Sequence, residues 1–373
     1  MDLIGYYINP YNKLIGGDAK MNNCWKQNFV LVTFEFENTI PQLQTFILGV
    51  LRQMLSKPKH PLRLKYKSRN TYTYHKHSIN VMLSKMVYEL KTIDDDTCTQ
   101  LAIRSGMAAI ICFTDNKVCF CGNHQFFDGI NGLMLVQKFF DHQYVPNIQQ
   151  LTYIPIVTEL NLVQTSWPCL LNLPIKNLTY SPHWKDYSSR SISIQSRYDL
   201  DMVKKEKHRY SISFASLMSA ILADGLFKSS KVDTLSIGVI VAIKSAKRFN
   251  NYGIIFVNAK RRLSFKELAI CIDKQLKRCY HAGALTYLMN NLYELKYDIS
   301  VDILLSGVPL SLEKPVSIQG VAVKHIRNNH RYSSRPVYCL YLSCSRYIHV
   351  NVSLRTPDID IDCLKQCLNE RNI

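Results

Sequence analysis

Acidic residues are in short supply: 28 Asp and Glu stand against 46 Lys and Arg in 373 residues, a formal net charge of +18 with histidine neutral. An excess of that size attracts polyanions such as nucleic acid, an anionic membrane or a phosphorylated cofactor. Long apolar runs are also missing. The stretch ending Val239-Ile240-Val241-Ala242-Ile243 falls well short of the roughly 20 residues a membrane helix needs. The start, Met1-Asp2-Leu3-Ile4-Gly5-Tyr6-Tyr7, lacks the basic-then-apolar layout of a signal peptide, so a cytoplasmic location is expected. None of the 12 cysteines forms a Cys-x-x-Cys pair, which removes zinc-ribbon and disulfide-scaffold readings, and no metal is expected. Neither a Gly-rich phosphate loop nor a Gly-x-Ser-x-Gly elbow is present, leaving kinase, P-loop and serine-hydrolase readings without an anchor. No helix-turn-helix, zinc-finger or aromatic RNA-binding signature supports the nucleic-acid option.

What is present is an ordinary globular balance, 47% hydrophobic and 20% charged, which argues against disorder. At this length two domains or two halves are expected. Strand-like and helix-like signals alternate throughout. Residues 28–36, rich in aromatic and β-branched types, predict a strand. Residues 41–55 carry leucines, Phe46 and Met54 at helical spacing behind Pro41, predicting a helix. A prolyl break at Lys57-Pro58-Lys59-His60-Pro61 precedes the strand-like alternation of 62–66. Residues 108–113 and 118–122 read as a hairpin turned by Asp115-Asn116, and 130–140 as a helix. From about 141 to 197 five prolines punctuate a weak pattern, which reads as a long crossover. Further helices are expected over 211–227 and 264–278, the latter entered through a Ser264–Glu267 capping box. Strands are expected over 234–244, 301–305, 337–342 and 347–354, and Asp360 caps a final helix.

Several charged clusters have plain explanations. Lys57, Lys59, Arg63, Lys65, Lys67 and Arg69 form a basic stretch with no acid until Glu89; it reads as a solvated surface or a phosphate contact. His75 and His77 stand at strand spacing, but no Cys or carboxylate completes a metal set, so solvent-exposed histidines are expected. Asp94-Asp95-Asp96 reads as a solvated turn.

The chemical candidate is His124-Gln125-Phe126-Phe127-Asp128-Gly129. A strand delivers His124 to its own end, and Gly129 permits a tight turn into the next helix. A neutral imidazole held there can take a proton from an attacking hydroxyl or amine near pH 7. Asp128 would fix the local backbone or the ring. The alternative is a histidine packed at a strand end beside a turn aspartate.

This segment resembles the His-x-x-x-Asp-Gly motif of the chloramphenicol-acetyltransferase-like superfamily of CoA-dependent acyltransferases, which includes wax ester synthases, alcohol acyltransferases and condensation domains. Many members carry a second histidine first; here that position is Asn123. His60-Pro61-Leu62-Arg63 is similar to an early passage of these enzymes. Asn250-Asn251-Tyr252-Gly253 resembles their Asn-x-Gly loop, and the run from Val301 to Gly307 resembles their late strand ending in serine.

The resemblance implies an α/β fold with mixed sheets, in which two like subdomains form a pseudo-dimer with an interface tunnel. It divides the chain into an N-terminal subdomain (1–145), a crossover (146–200) and a C-terminal subdomain (201–373). It implies acyl-CoA as co-substrate and a small amine or alcohol as acceptor. His124 would be the base, Asp128 would hold its loop and Ser306 would donate to the oxyanion. Gly129, Asn251 and Gly253 would serve on the coenzyme side and in support of the tunnel. A chain that builds its own tunnel is expected to be a monomer. Two alternatives stand beside this one: a catalytically idle binding or scaffold protein of the same fold, and a basic nucleic-acid-binding protein.

Overall fold

The computed structural model describes residues 29–58, 60–68, 71–123, 127, 136, 140, 183–184, 192–242, 252–278, 301–310, 317–330, 336–344 and 346–370. In chain order the first elements are β1 (Phe29–Phe36), α1 (Leu43–Leu55), a 3₁₀ turn (Pro61–Arg63), β2 (Leu64–Ser68) and β3 (Thr71–Tyr74). There follow α2 (Ile79–Met86), β4 (Val87–Glu89), α3 (Asp95–Ser105), β5 (Ala109–Phe113), β6 (Lys117–Asn123) and β7 (Ile192–Asp199). The next group is α4 (Leu200–Tyr210), α5 (Phe214–Ser229), β8 (Thr234–Ala242), β9 (Tyr252–Lys260) and α6 (Phe265–Arg278). Last come β10 (Ile303–Leu310), β11 (Ser317–Ile318), β12 (Val321–His330), β13 (Val337–Cys344), β14 (Tyr347–Leu354) and α7 (Ile361–Asn369). Two compact units result: one from Met1–Ile148 with Leu312–Ser333, the other from Gln149–Ser311 with Ser334–Ile373.

The first unit is a six-stranded sheet in the order β11-β12-β1-β6-β5-β4, antiparallel except for the β4–β5 pair. Its alternation sorts two chemistries. Thr33, Cys119 and Cys112 face α3, where the Cys98 thiol hydrogen-bonds with those of Cys112 and Cys119. These cysteines are buried, as expected of small hydrophobes in a strand. The opposite face carries Phe34 and Phe120, which pack edge-on against Phe140. Asp94 caps α3 by accepting from Thr97 N at 2.8 Å, and Asp95 pairs with Arg327 of β12 at 2.6 Å. The acidic run is therefore a helix start with an ion pair, not a solvated turn: the Asp94 carboxylate meets an otherwise unpaired N–H at the positive end of the helix, and that of Asp95 meets Arg327.

The second unit is also six-stranded, in the order β7-β14-β13-β10-β8-β9, with β10 parallel to both neighbours. Helices α4, α5, α6 and α7 contribute to one hydrophobic core, which takes Leu226 and Ile221 from α5, Ile272 from α6, Leu364 from α7, and Ile303, Cys339 and Val350 from the sheet. Each such side chain contributes about 1.5–3 kcal/mol on burial. The helix expected over 211–227 is α5, and a further helix, α4, for which no expectation was stated, precedes it at 98°. Ser211 in the left-handed conformation (φ 54°) ends α4, and Ser213 caps α5 through Ser216 N. The Ser264–Glu267 box forms as expected, with Ser264 N donating to Glu267 Oε2 at 2.9 Å. Asp360 caps α7 through Cys363 N at 3.0 Å.

Among the described residues no single helix is long and apolar enough to cross a membrane. The segment read as crossover ends in a strand: β7 pairs antiparallel with β14 from Ile192 to Asp199. Ile194 and Tyr198 enter the core while Ser193 and Arg197 remain exposed.

Buried Asp273 of α6 joins this core to its helix ends. It accepts from Ser213 N and Ser216 Oγ, both at 2.7 Å, and from Lys277 Nζ at 2.6 Å. Burial pushes its carboxyl pKa up, but Lys277 and the serine donors outweigh that and hold it below the ordinary 3.8. With the folded value depressed, its stabilisation is complete above the unfolded pKa and is lost as pH falls through the folded one. Urea midpoints of wild type and Asp273→Asn should therefore differ at about pH 6 and converge below about pH 3.8. A gap that stays constant across that range would contradict the coupling.

Candidate active site

β6 carries the chain to the His-x-x-x-Asp-Gly segment. Asn123, its last residue, is buried and pairs with Phe29 of β1. Its N–H donates to Ala108 O at 2.8 Å and its carbonyl accepts from Phe127 N at 3.0 Å. Phe127, itself buried, lies over Gly122; a Cβ there would stand 3.2 Å from the ring, so a small residue is needed under it. His124, Gln125, Asp128, Gly129 and Asn251 lie outside the described residues. Gly253, expected in a loop, is inside β9 and pairs with Val241, because the alternation Ile255, Val257, Ala259 feeds the core and extends the strand back to Tyr252.

Ser306 is in the middle of β10, half-buried, directly across from Leu340 of β13. Its hydroxyl hydrogen-bonds the phenol of Tyr338. Tyr338 is 4% exposed, and burial drives its pKa up, partly offset by the serine. A phenol that stays protonated is a standing donor, so Ser306 Oγ can accept from Tyr338 and point its own proton elsewhere. Sequence reading missed Tyr338. The run Val337-Tyr338-Cys339-Leu340-Tyr341-Leu342 is buried on both faces, so no alternation singled it out. Gly307, next to Ser306, faces the core, where the ring of Tyr341 from β13 occupies the space a side chain would need.

The His60-Pro61-Leu62-Arg63 passage is structural. His60 Nδ1 accepts from Leu62 N at 3.2 Å, and Arg63 donates through Nε to Leu55 O at 2.8 Å and through Nη1 to His75 O at 3.3 Å. The guanidinium satisfies a carbonyl at the end of α1 and ties it to the chain after β3. His75 is buried, not exposed as expected, and stacks on His77 with ring centroids 5.5 Å apart. Burial lowers its pKa, helped by Lys65, His77 and Lys85, so it is held neutral. Among the described residues no group of three His, Cys, Asp or Glu is arranged to hold a metal ion.

A second His–Asp pair lies at the start of β8 and β10. Asp302, fully buried, accepts from His183 N at 2.8 Å, from Ser236 N at 2.9 Å, and approaches His183 Nδ1 at 3.2 Å. These bonds fasten residue 183 to the sheet, with Thr234 Oγ1 at 3.5 Å from the outer ring nitrogen.

No protein-family model and no curated protein sequence matches the chain. Solved structures do match, across nearly its whole length. The TRI3 trichothecene 15-O-acetyltransferase of Fusarium sporotrichioides aligns over 98% of this chain and 93% of its own, with TM-score 0.67 and 10% identity. The wax ester synthase/diacylglycerol acyltransferase of Marinobacter aquaeolei VT8 aligns over 98% of both chains, with TM-score 0.55 and 10% identity. The starter condensation domain of the rhizomide synthetase RzmA covers 97% of this chain and 96% of its own at TM-score 0.57 and 11% identity. A further structure of that domain, in complex with C8-CoA and Leu-SNAC, aligns over 92% of this chain with TM-score 0.59. The fold is thus the mixed α/β fold of chloramphenicol-acetyltransferase-like proteins, as the motif resemblance implied.

Proposed function

We propose that the chain is an acyl-CoA-dependent acyltransferase that moves a short acyl group, acetyl in the first instance, to an amine or hydroxyl. The observation that carries this reading is the shared fold over 98% of the chain with an acetyltransferase, joined to a His-x-x-x-Asp-Gly segment at the end of β6. His124 takes the proton from the acceptor as its nitrogen or oxygen attacks the thioester carbonyl. The tetrahedral oxyanion is stabilised by the Ser306 hydroxyl, itself held by Tyr338. Collapse breaks the C–S bond, and the CoA thiolate leaves with the proton that the imidazolium returns. A donor of this kind is worth about 10²–10³ in rate where water is excluded. Asp128 holds the histidine loop, and Gly129, Asn251 and Gly253 serve the coenzyme side. The excess of cationic side chains, +18 net, suits the phosphates of CoA, and an acceptor with phosphate of its own.

Mass-spectrometric detection of acyl transfer from acetyl-CoA to a panel of amines, amino sugars and alcohols tests the proposal. Mass detection is preferred because 12 cysteines confound thiol reagents. The expected result is one acceptor class gaining the acetyl mass while free CoA accumulates in step. No product from any acceptor, with no CoA bound to the protein, would shift the assignment to a binding or scaffold protein of this fold.

A further inference from the structure

Helix α7 carries two cysteines one turn apart, Cys363 and Cys367. Positions four residues apart share one face of a helix. Cys98, Cys112, Cys119, Cys121 and Cys339 are buried and serve as small hydrophobes. Cys363 and Cys367 differ from these: both are half-exposed, and their thiols lie in hydrogen-bond contact with each other. Cys271, also half-exposed, stands apart on α6 and accepts from Gln275 Nε2 at 3.4 Å.

The dithiol lies at the seam between α7 and α5. Leu364 and Leu368 enter the core over Gly225 of α5, and Cys367 Cβ is 3.8 Å from where a Cβ on that glycine would stand. Cys363 Sγ donates to the carbonyl of Lys228, in the last turn of α5, at 3.7 Å. The Lys228 ammonium is paired with Asp224 at 2.9 Å. Burial, then the Cys363 thiol, pushes the Cys367 pKa up; Lys228 pulls it the other way, and Asp224 adds to the push.

Two touching thiols suggest a disulfide, but helix geometry argues against one. Cβ atoms four residues apart on a helix are separated by about 5–6 Å, whereas a disulfide needs about 3.5–4.5 Å. Closing that gap would unwind α7, which Asp360 caps at its start and whose Leu368 carbonyl accepts from Tyr198 Oη at 2.8 Å. A single atom inserted between the sulfurs spans the longer gap with two bonds in place of one. Zinc would need about four ligands, and among the described residues no group of three His, Cys, Asp or Glu is arranged to hold it.

We propose that Cys363 and Cys367 form a surface dithiolate site for a soft cation of low coordination number, univalent copper in the first instance. Thiolate sulfur selects Cu(I) over harder cations. As the two S–Cu bonds form, both thiols release their protons to solvent. The complex carries one net negative charge, which the neighbouring Lys228 ammonium offsets. The inference does not rest on the acyl-transfer reading.

The test uses the full chain, reduced and kept free of oxygen, with Cu(I) supplied as its acetonitrile complex and bicinchoninate as competitor. Wild type should retain about one equivalent more than Cys363→Ser or Cys367→Ser, since each variant lacks one of the two ligands. Iodoacetamide labelling with peptide mapping locates the site in wild type and needs no variant. There Cu(I) should slow labelling of Cys363 and Cys367 by about tenfold or more and leave Cys271 unchanged, and Zn(II) at equal concentration should give no protection. Equal Cu(I) uptake by wild type and both variants would overturn the inference, as would labelling of the pair that Cu(I) does not slow. Protection by Zn(II) as strong as by Cu(I) would overturn the choice of a low-coordinate cation. Ready closure of a Cys363–Cys367 disulfide by diamide, read as an unlabelled peptide two hydrogens lighter with helix content unchanged, would remove the geometric argument and the site with it.

Discussion

Replacing His124 with alanine is expected to lower turnover by about 10²–10⁴-fold, the usual worth of a positioned general base, with no change in thermal unfolding. In the proposed reaction the acceptor nitrogen or oxygen must lose a proton as it attacks, and methyl in place of imidazole leaves water to take it. The loss should fall on kcat more than on KM, since the base acts as the proton moves and not when the substrates bind. The pH profile adds a sharper check. Wild-type kcat/KM should rise with pH through the histidine range and level off, whereas the variant's residual rate should follow hydroxide without that inflection. A scaffold protein of this fold would keep every binding property in the variant. A variant that turns over as fast as wild type would remove His124 as the base and with it the main support for the enzyme reading.

Sequence patterning was a good guide where an element announces itself locally. β1, the β5–β6 hairpin with its Asp115-Asn116 turn, the Ser264–Glu267 box and the closing β13–β14 hairpin stand where alternation and turn chemistry put them. Each owes its form to neighbours within a few residues, so the signal and its cause share one stretch of chain. β12 had no such signal. Val321–His330 ends in polar residues and finds its partner, β1, at the other end of the sequence. β7 carries a clear alternation, Ile194, Ser196, Tyr198 inward, but stands behind a proline-punctuated stretch that masked it as crossover.

The candidate site divides in the same way. The His124 segment is proposed from residue types and spacing that form a local motif, and His124, Asp128 and Gly129 lie outside the described residues. Tyr338 was not legible, because it comes beside Ser306 only when β13 and β10 pair. His75 shows the opposite error: polar in sequence, it is buried where the chain leaves β3, and its exposure was decided by packing that no short window contains.

Gly307→Ala is expected to cost about 3 kcal/mol or to prevent folding, a large effect for one methyl group. Glycine in a strand is ordinarily a weakness, and alanine should help by roughly 0.4–1 kcal/mol through the unfolded state alone. Here the sign reverses. Gly307 lies directly across from Tyr341, whose buried ring fills the space a Cβ would need, so the new methyl meets both Cζ and Oη of that ring. The ring has little room to retreat, since Phe214 packs against it at 5.5 Å on the way to the core. Tyr341→Leu in the same chain removes the ring and should restore part of the loss, making the two substitutions strongly non-additive. Because Ser306 is the adjacent residue on β10 and faces the other way, a strand displaced to relieve the clash also moves the proposed oxyanion donor off its bond with Tyr338. Turnover measured well below the melting temperature should therefore fall further in Gly307→Ala than the folded fraction does. Equal unfolding midpoints for Gly307→Ala and wild type would show that the ring is not packed on this glycine, and the placement of Ser306 that depends on it would fall too.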